Sequence, residues 1–208
     1  MSADINHTPR LFIESALQTG QPVSVSADQA HYVQHVMRMQ YGDKLRLFNG
    51  RDGEWLGKIG KASKRTLEIE IGDQLKLQTP MPDLWLCCAP IKKAHFDFLI
   101  EKATELGVSE IRPILTNRAQ VREVNVERVR ALAIEAAEQS ERLSIPDIHK
   151  PVTLKDLLAH WPNDRRLVVC AEWGDAVPVR EAFTLFAGKN TKAGIVTGPE
   201  GGFEKSEL

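Results

Sequence analysis

Ala193-Gly-Ile-Val-Thr-Gly-Pro-Glu-Gly-Gly202 decides the reading of this chain, because an apolar strand empties directly into a glycine-rich turn. Gly198, Gly201 and Gly202 lack a Cβ, so they can take positive φ and let backbone N–H groups come close to a bound group. Pro199 stiffens the turn. The following Phe203-Glu-Lys-Ser-Glu-Leu208 reads as the start of a helix. A strand, a glycine turn and a helix N-terminus in that order make a general place to hold a nucleotide-like ligand, and they equally make an ordinary turn. GPEGG has the spacing of neither a P-loop nor a dinucleotide fingerprint, so neither can be claimed.

Working outward, this strand closes an alternating series: strand 84–89, helix 94–106, strand 110–115, helix 125–142, strand 166–171, helix 177–187 and strand 194–197. That alternation predicts an α/β domain with a mostly parallel sheet. Phe96, Leu99, Ile100, Ala103 and Leu106 recur at helical spacing, and Gly107 stands at the expected stop. Helix 125–142 is expected to bury Val126, Val129, Leu132, Ala133, Ala136 and Ala137, a small-residue stripe that permits close approach of another surface. Residues 1–75 have a different grammar. Ser26-Ala-Asp-Gln29 has the form of a capping box opening a helix through Met39. Short strands are expected at 11–13, 44–48, 55–61 and 66–71, with turns at Asn49-Gly50 and Asp52-Gly53. One helix among several short strands suggests a small β-barrel module. Gln78-Thr-Pro-Met-Pro82 breaks every period, so residues 76–82 are read as a linker and 83–208 as the second domain.

Composition bounds the function. At 208 residues and 42% hydrophobic the chain can bury a sizeable core, and no apolar run approaches a membrane span. No secretory signal opens the sequence, so a cytoplasmic location is expected. A net charge of −1 excludes bulk positive charge as the basis of nucleic-acid binding; any basic patch must be local. Of three cysteines, Cys87 and Cys88 are neighbours in a strand and face opposite ways, so neither a disulfide nor a metal site is expected. His31 and His35 lack a third ligand at an obvious spacing.

The residues that can carry chemistry cluster at predicted strand ends. Lys92 and Lys93 follow the strand ending at Ala89-Pro90, and ligands of open α/β sheets sit beyond strand carboxyl ends. They read either as cleft lysines or as a solvated pair. In Glu135-Ala-Ala-Glu-Gln-Ser-Glu-Arg142, Gln139 and Arg142 are i, i+3 neighbours that could present an amide and a guanidinium together, or Arg142 answers the helix dipole. Arg10, His31, His35, Arg38 and the run Lys61-Ala-Ser-Lys-Arg65 could meet phosphates, with His31, His35 and Arg38 on one helical face. Glu172, after a strand, could accept from a ribose or adenine, or cap the next turn.

In order, Arg10-Leu-Phe12, the His31 to Met39 helix, Lys102-Ala-Thr-Glu-Leu-Gly-Val108, Glu135 to Arg142 with Ile145-Pro146, and Thr197-Gly-Pro-Glu-Gly-Gly-Phe203 resemble the bacterial RsmE family. The resemblance runs nearly end to end. It implies a uridine-N3 methyltransferase of 16S ribosomal RNA in the SPOUT superfamily, with a PUA-like domain at 1–75 and a trefoil-knotted, homodimeric α/β domain at 83–208. It implies S-adenosylmethionine as cofactor, held by Glu172, Thr197, Gly198, Pro199, Glu200, Gly201 and Gly202. RNA, free or in the assembled small subunit, would meet Arg10, His31, Arg38, Lys92, Lys93, Arg118 and Arg142. The family continues with a strand and an L-G-x-R-(I/V)-L-R-x-E-T-A motif that completes the knot and holds a catalytic arginine; that stretch lies beyond Leu208, and a longer parent polypeptide is expected. Lys92 is the candidate left in this sequence for stabilising charge on the base. The competing reading is a non-catalytic RNA-binding protein with a degenerate SPOUT dimerisation domain.

Overall fold

The computed structural model describes residues 5, 7–62, 66–171, 173–174, 176–184 and 192–207. The chain divides into two compact units: Met1–Pro80 with Glu138–Ser144, and Met81–Ala137 with Ile145–Leu208.

In the first unit, β1 (Arg10–Phe12), β2 (Val23–Val25), β3 (Lys44–Phe48), β4 (Glu54–Ala62) and β5 (Leu67–Lys76) form a sheet in the order β1-β3-β4-β5-β2. Only the β1–β3 pair is parallel. Along β5 the alternation decides which face goes inward: Leu67, Ile69 and Ile71 are buried while Glu68 and Glu70 are exposed. The buried side chains join Leu11, Val33, Leu45, Leu47 and Ile59 in one core, each large one contributing about 1.5–3 kcal/mol. At the β3–β4 turn, Asn49 Oδ1 accepts from the backbone N–H groups of Arg51 and Asp52 at 3.0 and 2.9 Å. Gly53 follows at φ +82°, where an added Cβ would lie 2.2 Å from the Lys76 carbonyl oxygen, so no other residue fits.

The helix expected through Met39 is shorter. α1 (Ala27–His31) opens with the capping box, in which Ser26 Oγ accepts from Gln29 N–H. Residues 32–36 then form a π turn, and Arg38 sits at φ +56°. The wider turn keeps Ala30 and Val33 fully buried and leaves Met37 and Met39 packed at the core's edge. Packing therefore overrides the regular helical period.

The second unit is built on parallel strands β6 (Leu84–Cys88), β7 (Glu110–Leu115), β8 (Asp147–Ile148), β10 (Arg166–Cys170) and β11 (Ala193–Thr197), in the order β10-β11-β6-β7-β8. β9 (Val152–Thr153) pairs with the end of β7. A parallel sheet needs cover on both faces, so its central strands are apolar almost throughout. Cys88 enters one core with Phe96, Ile100 and Ala103 of α2 (Lys93–Leu106) and Val129 and Ala133 of α3 (Val126–Gln139). Cys87 enters the other, with Trp85, Ile114, Val196, Phe203 and Leu154 and Leu157 of α4 (Leu154–Ala159). Burial pushes both thiols up to about 12. Val129 and Ala133, at the heart of the small-residue stripe, are spent inside this core, so the stripe is no evidence for a second surface. α3 ends at Gln139, three residues before the expected Arg142, because the backbone reverses through Glu141 at φ +60°. α5 (Val179–Thr184) falls inside the helix expected at 177–187, whose residues 185–187 lie outside the described residues.

Candidate functional site

Three loops leave the carboxyl ends of the neighbouring strands β11, β6 and β7 and meet there. The loop after β11 is anchored by Phe203, 2% exposed in the core. Gly198 makes that anchorage possible, since a Cβ there would approach the Phe203 ring to 3.0 Å. Between them Gly202 N–H closes a turn onto the Pro199 carbonyl at 2.9 Å, and Gly202 is buried at φ +67°. The expectation of positive φ holds at Gly202 alone; Gly198 serves by its missing side chain, and a Cβ on Gly201 would make ordinary contact with Arg118 at 3.6 Å.

The neighbouring loops hold this turn from both sides. From β6, the Lys92 N–H donates to Glu200 Oε1 at 3.1 Å. That bond, chiefly, holds the Glu200 carboxyl below its usual range, so it stays ionised. From β7, Arg118 donates to the Gly201 carbonyl at 2.9 Å. Asn117 Nδ2 donates to Glu204 Oε2 at 2.9 Å, and its N–H donates to Glu207 Oε1 at 2.8 Å. The helix expected from Phe203 does not form among the described residues. Residues 205–207 are a turn, in which Glu207 Oε2 accepts from the Glu204 N–H at 2.8 Å, the reciprocal half of a capping box.

The structure thus brings together Thr197, Gly198, Pro199, Glu200, Gly201, Gly202, Lys92 and Arg118. Thr197 ends β11 opposite Cys88. Lys92 is the N-cap of α2, and its side chain and that of Lys93 are exposed. Glu172, and Ser63, Lys64 and Arg65 of the basic run, lie outside the described residues. Asn117 and Glu204 were not singled out by the sequence. Their only signals were an amide one residue past a strand and two carboxylates at i, i+3.

The first unit places its candidates differently. His31 is exposed at the end of α1, and His35 stacks on it at 4.7 Å between ring centroids. Arg38 is exposed but left-handed, so it does not continue their helical face. Arg10 requires a correction: it is 5% exposed and cannot reach a phosphate. Its Nε donates to Glu54 Oε1 at 2.6 Å, its two other nitrogens donate to the carbonyls of Glu138 and Arg142, and its guanidinium lies 4.2 Å over the Phe48 ring. Glu54 is fully buried, with Arg46 and Lys76 at 3.6 and 3.5 Å. A buried carboxylate requires such neutralisation, which explains why Arg10 is drawn inward. Arg142 is half-buried, and burial lowers its pKa.

Among the described residues no three His, Cys, Asp or Glu side chains are placed to hold a metal, and no helix is long and apolar enough to cross a membrane.

Residues 78–208 match the pattern of the RNA methyltransferase domain, and residues 25–72 that of the RNA methyltransferase PUA domain. The ribosomal RNA small subunit methyltransferase E of Rickettsia conorii is 38% identical over 200 residues, 96% of this chain and 81% of that protein. The fold is similar to that enzyme from Neisseria gonorrhoeae, solved bound to S-adenosylmethionine, with a TM-score of 0.85 at 23% identity over 97% of this chain and 84% of that one. It is also similar to a methyltransferase of Legionella pneumophila in complex with the same cofactor, with a TM-score of 0.79 at 25% identity and the same coverage. With this match across most of both sequences, and a glycine loop bound at the carboxyl edge of a parallel sheet, the chain belongs to the RsmE family of RNA methyltransferases.

Proposed function

We propose that this chain takes part in transferring a methyl group from S-adenosylmethionine to N3 of a uridine in small-subunit ribosomal RNA. The observation that carries the reading is the Thr197–Gly202 loop, pinned between the loops after β6 and β7. Its donor set suits the cofactor: backbone groups freed by glycines for a purine and hydroxyls, and the ionised Glu200 for a cation. When bound, S-adenosylmethionine supplies an electrophilic methyl on a sulfonium. This chain's part is to orient the two reactants and to favour loss of the uracil N3 proton. Lys92 and Arg118 put positive charge beside the loop, where it lowers the cost of an anionic base. N3 lies on the Watson–Crick edge, so the target enters unpaired or flipped.

The finer reading is a PUA-like RNA-binding barrel at 1–75, a linker at 76–82, and a SPOUT-type trefoil-knotted domain from 83 onward. It includes a homodimer in the cytoplasm. His31, Arg38, Lys92, Lys93, Arg118 and Arg142 are the proposed RNA contacts, whereas Arg10 is buried and holds Glu54 instead. Glu172 keeps its proposed place in the cofactor pocket. Radiolabelled methyl transfer to small-subunit RNA and to assembled subunits tests the activity. Label at uridine N3 is the expected result; RNA binding without any transfer would leave a non-catalytic binding protein.

A further inference from the structure

We propose that Arg10 and Glu141 are positioning residues for RNA, holding the turn that presents Arg142 to it, an assignment that rests on Arg142 meeting RNA. Arg142 follows the end of α3, in the segment Glu138–Ser144 that belongs to the first unit. The last carbonyls of a helix lack partners within it, and a glycine in the left-handed region commonly makes the reversal. Here Glu141 makes it, at φ +60°. A residue with a side chain in that region costs energy and persists only where its surroundings over-determine it, and such outliers gather at functional sites.

The surroundings do over-determine this turn. Arg10 is buried, and its Nε donates to Glu54 Oε1 at 2.6 Å. That bond aims the rigid guanidinium fork, so that Nη1 and Nη2 donate to the carbonyls of Glu138 and Arg142 at 3.2 and 2.7 Å. From β1 the Phe12 N–H donates to Glu138 Oε1 at 2.9 Å. Arg46 of β3 and Lys76 of β5 each donate to the Glu141 carboxylate at 3.0 Å, and Gln78 donates to Ser144 Oγ at 2.9 Å. The chain is thus fixed before, at and after Arg142. Reversal alone asks for less, since a glycine turns this way with neither a carboxylate nor a buried arginine to hold it. What the grip adds is a fixed origin for the Arg142 side chain, which is half-buried. Burial lowers the pKa of that guanidinium, so it has shed part of its water. A cation in such a setting attracts a phosphate more strongly, and one already held in place loses less freedom on binding.

The test measures binding of purified small-subunit ribosomal RNA, at one fixed salt concentration, to Arg142→Ala, Arg10→Lys and Glu141→Gly, and to each of the last two combined with Arg142→Ala. Near-UV circular dichroism reports whether each variant stays folded. Lysine keeps a charge for Glu54 but has no fork to reach two carbonyls. Should Arg10→Lys not fold, Glu141→Gly decides, because glycine favours the left-handed turn while releasing Arg46 and Lys76. Expected are a loss of affinity of about tenfold for Arg142→Ala and of about three- to fivefold for Arg10→Lys and Glu141→Gly. The combined variants should bind no more weakly than Arg142→Ala alone, since both residues act through Arg142. In methyl transfer, Arg10→Lys should raise the RNA KM in the same proportion while kcat changes less than twofold. Binding unaltered by Arg142→Ala, or by every folded positioning variant, would overturn the assignment, as would losses that multiply in the combined variants. A wild-type protein that binds the RNA and transfers no methyl group would strike the methyltransferase reading alone, because the binding measurements judge the turn by themselves.

Discussion

The two sheets bury opposite kinds of chemistry. Within the mixed sheet of the first unit lies a carboxylate, Glu54, clasped by Arg10, Arg46 and Lys76. The central strand of the parallel sheet buries a tryptophan and two thiols, Trp85, Cys87 and Cys88, with guanidinium groups of Arg112 and Arg165 laid over the Trp85 ring. The first arrangement depends on every charge having its partner, whereas the second depends on shape. Charge pairs stabilise only while complete, and packed apolar cores lose stability in proportion to the misfit introduced.

Glu54→Gln is the largest expected blow to that comparison. It takes the buried carboxylate from Arg10, while Arg46 keeps Glu141, at a cost of about 3–5 kcal/mol, measurable by urea unfolding. A loss below about 1 kcal/mol would show that water reaches the cluster. In the second unit, Gly194→Ala tests shape, because its Cβ would stand 2.3 Å from the Trp161 ring. The expected cost is about 1–3 kcal/mol, with altered tryptophan fluorescence. A stability unchanged beside altered emission would mean that the ring moves freely aside.

A third measurement uses pH. Lys76 and then Arg46 hydrogen-bond Glu141 and hold its pKa at about 2, against an ordinary 4.5. A depressed carboxylate contributes stability that is fully present above its unfolded pKa and lost as pH falls through the folded one. Because the Glu141 side chain is 48% exposed, screening limits the contribution to about 1 kcal/mol. Relative to Glu141→Gln, the wild-type advantage should fade between pH 4.5 and about 2; an advantage that persists at pH 2 would assign it to packing. The smallest effect is expected at Glu200→Gln. Its bond to Lys92 is exposed, so the melting temperature should not move, while S-adenosylmethionine affinity falls a few-fold by calorimetry. An unaltered affinity would remove Glu200 from the cofactor's contacts.

The comparison also explains what could be read in advance. Strand and helix alternation after residue 83, the β5 pattern and the Ser26 capping box are local signals, and they place most elements of both sheets. α4 was missed although Thr153-Leu-Lys-Asp156 carries its cap, because the helix is too short to show a period. The π turn at 32–36 arises from core packing, which no local pattern encodes. At the site, the glycine loop was legible because its residue types are unusual. Arg10 was misread because its partners lie far along the chain, and a surface phosphate contact and an interior ion pair ask for the same side chain.

That distance has a consequence in time. Arg10 donates to a carbonyl 132 residues further on, whereas the five strands of its sheet are complete by Lys76. During synthesis the sheet is finished about sixty-five residues before Arg142 is made, roughly 3–13 s at about 5–20 residues per second. Through that interval the Arg10 guanidinium waits beside Glu54 with its acceptors at Glu138 and Arg142 unmade. The nascent first unit is thus a provisional structure, sealed only when the end of α3 arrives.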